Sequence, residues 1–411
     1  MKKYLFLFMV TFGGTVFAQP GIVNQQTAKE PTAEELYEKA MGYEYGINGM
    51  SKDSIKSLDY FEKSANMGHA KAQLELGCKW CYGQGVKENN EQAVKWFIKA
   101  AEQGVARAQY LLGACYVNGT GVQKDYIQAV NWYRKAAEQG DMYSQNDLGL
   151  CYENGQGVEK EYIQAVSWYR KAAGQDCVTA QYNLGRCYEN GYGVSDMNQA
   201  IIWYTKAAIQ EHSDAIWQLY EIYIEGKGVP KDVEEAKKWL VYGAERGDAR
   251  CQTILGYDYR AGEEGFPIDG EKAIYWFEKA ACQDDDIAMC ELGIIYAGGK
   301  LIKRDLYKAN EWYRKAAELG NAAAAYECAY AHEVGAGVDT NKESAFFWMK
   351  KAAELGYPLA QFQLGLYYAK GLGCETNIEA ARYWWELFLE NEDITDSARK
   401  KAIKNIKLTY E

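Results

Sequence analysis

Histidine and proline are scarce in this chain of 411 residues, which has only 3 histidines and 5 prolines. Three histidines are too few for a zinc site built mainly from imidazole ligands. So few prolines leave long stretches free to form helices, because proline interrupts the hydrogen bonds of a helix interior. We therefore expect no metal ion and no cofactor, and an all-α structure.

Motifs of common hydrolases and phosphate-binding proteins are also absent. The chain has no G-x-S-x-G, H-E-x-x-H or G-x-x-x-x-G-K-S/T sequence. Ser397 and Lys400 match S-x-x-K, but no K-T-G accompanies them, and coincidence is the favoured interpretation. Cys78 and Cys81 form a C-x-x-C pair late in a predicted helix, where structural thiols are favoured over a redox pair. These patterns predict a protein that is not an enzyme.

Positive charge is in deficit, with 46 Lys and Arg against 57 Asp and Glu. Such an acidic chain argues against nucleic acid or an anionic membrane surface as a partner. Residues 1–18, MKKYLFLFMVTFGGTVFA, are typical of a bacterial signal peptide cleaved near Ala18, which predicts export to the periplasm or the medium. Beyond them no apolar run approaches the roughly 18 residues that span a bilayer, so we expect no transmembrane segment in the mature chain.

What the chain does contain is one unit, repeated. Val105 to Gly140, VARAQYLLGACYVNGTGVQKDYIQAVNWYRKAAEQG, is followed by 36 residues with nearly the same pattern. A period in this range is typical of a solenoid, in which stacked units bury a shared core. Nine of the 12 tryptophans recur at intervals of 35 to 37 residues: Trp96, Trp132, Trp168, Trp203, Trp239, Trp276, Trp312, Trp348 and Trp384.

Each unit reads as a pair of helices. Ala108, Leu112 and Tyr116 share one face of a first helix, helix A, and a glycine-rich turn follows. Asp125 then stands at the N-cap of a second helix, helix B, whose Trp132 and neighbouring tyrosine we expect to fill the space between hairpins. We divide the chain into a signal peptide (1–18), a flexible lead-in (19–31), a solenoid of about ten hairpins (32–392) and a capping helix (393–411).

The unit carries a family resemblance. A-x-A-Q-x-x-L-G-x-x-Y-x-x-G-x-G-V followed by D-x-x-x-A-x-x-W-Y-x-K-A-A-E-x-G resembles the Sel-1-like repeat, a relative of the tetratricopeptide repeat, over residues 69–392. The resemblance implies a right-handed superhelix that acts as a scaffold for a protein or peptide partner. Two alternatives stay open: weak β-lactam-binding, β-lactam-hydrolysing or thiol-redox activity, as suggested for cysteine-rich relatives, and a structural spacer in an envelope assembly.

The resemblance also implies a binding surface, because helix A positions line the concave wall of tetratricopeptide repeats. Tyrosine, tryptophan and arginine dominate binding hot spots, although tyrosine is simply abundant in this chain, and the convex face stays open as the alternative surface. The candidate wall residues are Arg107, Tyr110, Asn118, Tyr143, Asn146, Glu153, Asn154, Tyr182, Arg186, Glu189, Asn190, Trp217, Glu221, Arg250, Tyr257, Arg260, Tyr326 and Tyr330.

Two of the 11 cysteines are candidates for a disulfide. Cys282 ends one predicted helix B, and Cys290 lies near the start of the next helix A. The cysteine-rich branch of the Sel-1-like family pairs cysteines across this junction at this spacing, so the resemblance implies one bridge here. The alternative is that both thiols stay reduced.

In protein recovered from an exported, oxidising compartment, we expect the Cys282–Cys290 bridge to form. The bond closes a short loop, so it should stabilise the fold by only about 2 kcal/mol. Mass spectrometry after alkylation without reduction tests this, and a carbamidomethyl label on both cysteines would contradict it.

Overall fold

The computed structural model describes residues 30–193, 195–391 and 394–409. The expected signal peptide, its cleavage site near Ala18 and most of the lead-in lie outside the described residues. The described part of the chain forms 21 helices and no strand, which confirms the predicted all-α solenoid. Within it, no helix is both long enough and apolar enough to span a membrane.

Helices A and B alternate along the chain. Helices A are α1 (Ala33–Tyr45), α3 (Ala70–Tyr82), α5 (Ala106–Asn118), α7 (Met142–Asn154), α9 (Val178–Asn190), α11 (Ser213–Glu225), α13 (Ala249–Ala261), α15 (Asp286–Gly298), α17 (Ala322–Val334) and α19 (Pro358–Lys370). Helices B are α2 (Ser54–Asn66), α4 (Asn90–Glu102), α6 (Tyr126–Glu138), α8 (Tyr162–Ala173), α10 (Met197–Ile209), α12 (Val233–Glu245), α14 (Gly270–Ala281), α16 (Leu306–Glu318), α18 (Lys342–Glu354) and α20 (Ile378–Leu389). A last helix, α21 (Asp396–Leu408), follows them. The helices form two compact units, of which one ends at Trp132 and the other begins at Tyr133.

Local capping chemistry defines both ends of the helices. At the start of helix B, the predicted Asp and Asn caps accept hydrogen bonds from first-turn amides, which satisfies donors that have no partner inside the helix. At the end of α5, Gly119 adopts φ 71°, a left-handed conformation that strains any residue with a side chain. The confirmed helix B caps are Asn89, Asp125, Asp232, Asp305, Asn341 and Asn377.

The tightest packing within a hairpin is between a glycine of helix A and a ring of helix B. A Cβ atom added at Gly149 would lie 2.7 Å from the ring of Tyr169, and one added at Gly185 would lie 2.7 Å from the ring of Tyr204. Both tyrosines are fully buried. The absence of a side chain at this position of helix A therefore makes room for the largest core residue of helix B.

In two hairpins the glycine of helix A is replaced by a larger residue, and the matching core residue of helix B is smaller than a tyrosine. Ala329 takes the glycine position of α17, and the matching core residue of helix B is the slimmer, unbranched Met349. Tyr220 takes the position in α11, and the matching residue there is Leu240, which has no ring. A larger residue on one helix is thus accompanied by a smaller one on the other, as close packing requires.

The repeated tryptophans are not the core residues that we expected. All nine are only partly buried, and the residue after each of them is buried instead. The core-facing stripe of helix B passes through that next residue, which leaves the tryptophan at the edge of the stripe. Lysine side chains cover the exposed ring faces: Nζ of Lys171 lies 3.8 Å from the ring centroid of Trp168, and Nζ of Lys99 lies 4.0 Å from that of Trp96.

The glycine contact predicts that Gly185→Ala lowers the free energy of unfolding by about 1 to 3 kcal/mol, because the new methyl group overpacks the buried Tyr204 ring. Gly298→Ala is the matched control, since this helical glycine has no heavy atom within 4 Å of an added Cβ. The control should be neutral or slightly stabilising, as alanine favours helix. Urea unfolding measures both, and equal shifts in the two variants would refute the packing argument.

Candidate functional site

The predicted wall residues all lie on helices A, and we call the sides of these helices that carry them the helix A face. Their exposure to solvent differs. Two are buried, namely Asn146 and Glu153. Seven are exposed: Arg107, Asn118, Tyr143, Asn154, Asn190, Arg250 and Tyr330. Nine are partly buried: Tyr110, Tyr182, Arg186, Glu189, Trp217, Glu221, Tyr257, Arg260 and Tyr326.

The buried Glu153 joins three helices. Its carboxylate accepts a hydrogen bond of 2.6 Å from the Tyr169 hydroxyl of α8 and forms an ion pair with Arg186 of α9. The Arg186 side chain remains 32% exposed. A guanidinium has five donors, so an arginine held from behind in this way keeps donors for a ligand and has little freedom of movement left to lose on binding.

A second arginine, Arg260, is held by a carboxylate on the next helix A. Glu291 of α15 accepts a hydrogen bond of 3.0 Å from the Tyr257 hydroxyl and pairs with Arg260, both from α13. The Arg260 guanidinium also lies 5.2 Å from the ring centroid of Tyr257. Sequence reasoning missed Glu291, although a glutamate on the helix A that follows Arg260 was a usable signal.

Between these two clusters lies a stack of aromatic rings. Tyr182 of α9 packs against His212, the N-cap of α11, with ring centroids 4.6 Å apart. The Nδ1 atom of His212 accepts the backbone N–H of Ala215 at 3.3 Å, so this nitrogen must be unprotonated for the cap to form. Burial lowers the pKa of His212 below its ordinary value, and the positive charge of Arg250 acts in the same direction.

Arg250 itself is exposed and connects two neighbouring helices A. It pairs with Asp214 of α11 at 3.0 Å, and its guanidinium lies 5.4 Å from the ring centroid of Trp217. In the other compact unit, the guanidinium of Arg107 similarly lies 5.0 Å from the ring centroid of Tyr110. The helix A face thus repeatedly combines arginine with an aromatic ring.

Several other predicted residues serve the fold as well as the surface. The Tyr204 hydroxyl donates a hydrogen bond of 2.5 Å to Glu189. Asn183, which sequence reasoning missed, donates a hydrogen bond of 3.0 Å to the buried Asn146. Asn190 donates a hydrogen bond to the backbone oxygen of Arg186 at 3.0 Å.

Asp258 is a buried carboxylate that sequence reasoning also missed. It occupies the helix A position that holds Cys151 and Cys187 in earlier repeats, and its Oδ2 atom has no hydrogen-bond partner among the described residues. Burial, together with Glu264 and Glu263 of the following turn, raises the pKa of Asp258 to about 7. An aspartate in a column that is apolar in most repeats was the available signal.

The residues considered for catalysis lie on α3 and α21. Burial, assisted by the charge of Glu75, raises the pKa of Cys78 to about 12, which opposes formation of the reactive thiolate. Ser397 is exposed in the first turn of α21. In the described ranges, no cluster of His, Cys, Asp and Glu side chains is arranged to hold a metal ion.

Cys282 and Cys290 are both free thiols in this structure. Cys282 is the exposed C-cap of α14, whereas Cys290 is buried in α15. Their bridge stays a prediction for protein from an oxidising compartment.

Comparison with protein families identifies the repeated unit. The model of the Sel1 repeat matches ten consecutive segments: 36–69, 70–105, 106–141, 143–177, 178–212, 213–248, 249–285, 286–321, 322–357 and 358–393. The matches cover every hairpin, including the first one, whose sequence diverges from the others.

Solved structures and curated proteins show related chains. A protective antigen present in uropathogenic Escherichia coli strains, described as displaying an SLR fold, is 34% identical with a TM-score of 0.59, over 92% of this chain and 84% of that one. A Sel1 repeat protein from Oxalobacter formigenes is 32% identical with a TM-score of 0.52, over 60% of this chain and 96% of that one. An uncharacterized protein of Neisseria meningitidis serogroup B is 32% identical over 68 residues, 16% of this chain and only 14% of that protein.

The His212 cap predicts a pH dependence of stability. Because the pKa of His212 is lowered in the folded state, the unfolded chain binds the proton more readily, and stability falls as the pH drops below about 6.5, the ordinary value. His212→Asn keeps a capping side chain without a titrating group, so it should lose less stability than the wild type between pH 7 and pH 5.

Urea unfolding of wild type, His212→Asn and the control His332→Asn at the two pH values makes the comparison. The prediction fails if the wild type and His212→Asn lose equal stability on acidification.

Proposed function

The chain belongs to the Sel1 repeat family, and from this premise we propose that it binds a protein or peptide partner on the helix A face. Members of this family are generally protein-interaction scaffolds. We further propose that the chain acts without catalysis of its own, and that the helix A face is the concave side of the solenoid, as in tetratricopeptide repeats.

The observation that carries this proposal is the pair of partly exposed arginines, Arg186 and Arg260, each fixed by a carboxylate beneath it. Binding normally costs free energy because side chains must be ordered at the interface. Here that ordering has already taken place, and tyrosines lie beside both guanidinium groups. Preorganised arginine and aromatic side chains are the usual hot spots of protein interfaces.

The enzymatic alternatives gain no support from the residues that would have to perform them. A redox cysteine needs a lowered thiol pKa, whereas the pKa of Cys78 is raised. Neither β-lactam chemistry at Ser397 nor a purely structural spacer is favoured by a specific contact.

Export is part of the proposal. It rests on the signal-like sequence of residues 1–18. The similarity to a protein described as a protective antigen is consistent with an exported location.

The proposal predicts that a wall variant, Tyr143→Ala with Glu153→Gln and Arg186→Gln, loses partner capture from the native periplasm or medium by about 10-fold or more. Changing both members of the ion pair avoids leaving one buried charge alone, so folding should be retained. Circular dichroism and thermal melting check the fold, and a quantitative pull-down measures capture.

The matched control is Ile163→Ala with Tyr307→Ala, which alters exposed residues of helices B. Undiminished capture by the wall variant, or an equal loss in the control, would show that the partner does not use the helix A face. The first of these results would favour the structural spacer.

A further inference from the structure

Glu327 of α17 repeats the position of Glu291 of α15, one repeat later. Each is the sixth residue of its helix A. Glu291 is satisfied within the chain, since the preceding helix A supplies the Tyr257 hydroxyl and the Arg260 guanidinium. This arrangement shows what a carboxylate at the sixth position can bind.

For Glu327, the preceding helix A supplies no such donors. The positions that hold Tyr257 and Arg260 on α13 hold Ile294 and Ala297 on α15. Neither side chain has a hydrogen-bonding group. Among the described residues, Glu327 has neither a hydrogen-bond nor an ion-pair partner, and burial raises its pKa above the ordinary value.

Aromatic rings lie near Glu327, and a second carboxylate, Glu333, lies further along α17. The ring centroids of Tyr326 and Tyr357 are 5.2 Å apart, and Tyr330, one helical turn further on, is 50% exposed. The charges of Glu327 and Glu333 both act on the Tyr326 hydroxyl, and together with burial they raise its pKa. We call these five residues the Glu327 recess.

The recess lacks positive charge. In the described part of the chain, no Lys or Arg lies within ion-pair distance of Glu327 or Glu333. Glu333 instead accepts a hydrogen bond of 3.1 Å from the Tyr367 hydroxyl, which leaves its charge uncompensated. A cation at Glu327 would meet its carboxylate and the neighbouring tyrosine rings.

We propose that the Glu327 recess binds a basic side chain of the partner, and that this side chain takes the place at Glu327 that Arg260 takes at Glu291. The proposal rests on the proposed function and gives the chemistry of one subsite. Arginine fits better than lysine, because its planar guanidinium pairs with a carboxylate through two hydrogen bonds and stacks on aromatic rings. The tyrosines add a cation–π contribution in a partly desolvated setting.

The probe is a fluorescein-labelled, capped tetra-arginine peptide, titrated with the full chain and followed by fluorescence anisotropy. Glu327→Gln keeps the shape of the side chain and removes its charge, so we expect binding to weaken about 10-fold. Glu311→Gln is the control, because it makes the same change of net charge at an exposed position of helix B. A capped tetra-glutamate peptide should not bind.

Ala297→Arg tests the same idea from within the chain. The change places an arginine on α15 at the position that matches Arg260 of α13. The guanidinium of this arginine should pair with Glu327 and exclude the peptide. We expect a loss of peptide binding similar to that of Glu327→Gln, together with an unchanged or raised melting temperature. The five residues of the Glu327 recess are unchanged in this variant. A loss of peptide binding would therefore come from occupation of the recess by the new arginine and not from damage to it.

Equal affinity of Glu327→Gln and Glu311→Gln, or no saturable binding of the peptide by the wild type, would overturn the inference. Capture of the native partner, measured for Glu327→Gln and for the wall variant, distinguishes this failure from failure of the proposed function. If Glu327→Gln captures the partner normally while the wall variant does not, the helix A face binds the partner and the inferred subsite for a basic side chain is wrong. If Glu327→Gln weakens peptide binding while the wall variant captures the partner normally, the Glu327 recess binds basic side chains and the proposed partner surface is wrong.

Discussion

The contact between a helix A glycine and a helix B ring governs both the core and the helix A face. Because Gly149 has no side chain, the Tyr169 ring passes directly over α7, and its hydroxyl emerges beside Glu153. Gly185 allows Tyr204 to reach Glu189 in the same way. A packing requirement of the hairpin thus delivers hydrogen-bond donors to the helix A face, where they hold carboxylates in place.

Those carboxylates in turn decide which surface side chains are rigid. A buried glutamate is costly unless hydrogen bonds and a positive charge compensate it, so Glu153 recruits both Tyr169 and Arg186. The arginine gains a defined direction because the carboxylate behind it cannot move. Preorganisation of the face therefore follows from satisfying buried charge, and it needs no contact with a partner.

The sequence predicted the features that depend on neighbouring residues and missed those that depend on neighbouring repeats. Capping residues such as Asp125 act within one helical turn, so their role follows from composition and spacing. The choice of Tyr169 over Trp168 as the core residue depends on a rotation of helix B by one position, which apolar periodicity does not resolve when both residues are aromatic. Glu291 was missed because its partners lie more than 30 residues away, on another helix A.

A solenoid can carry specific information only where its repeats differ. Residues that pack against both neighbouring hairpins are constrained in every unit, since each interface contributes to stability. Positions on the helix A face are less constrained, so a carboxylate there can be satisfied in one repeat and left without a donor in the next, as Glu291 and Glu327 are. A partly exposed carboxylate costs far less than a fully buried one, because water still reaches it. The fold therefore tolerates such a group without an internal partner, and the free energy that the group would gain from a cation remains available for binding.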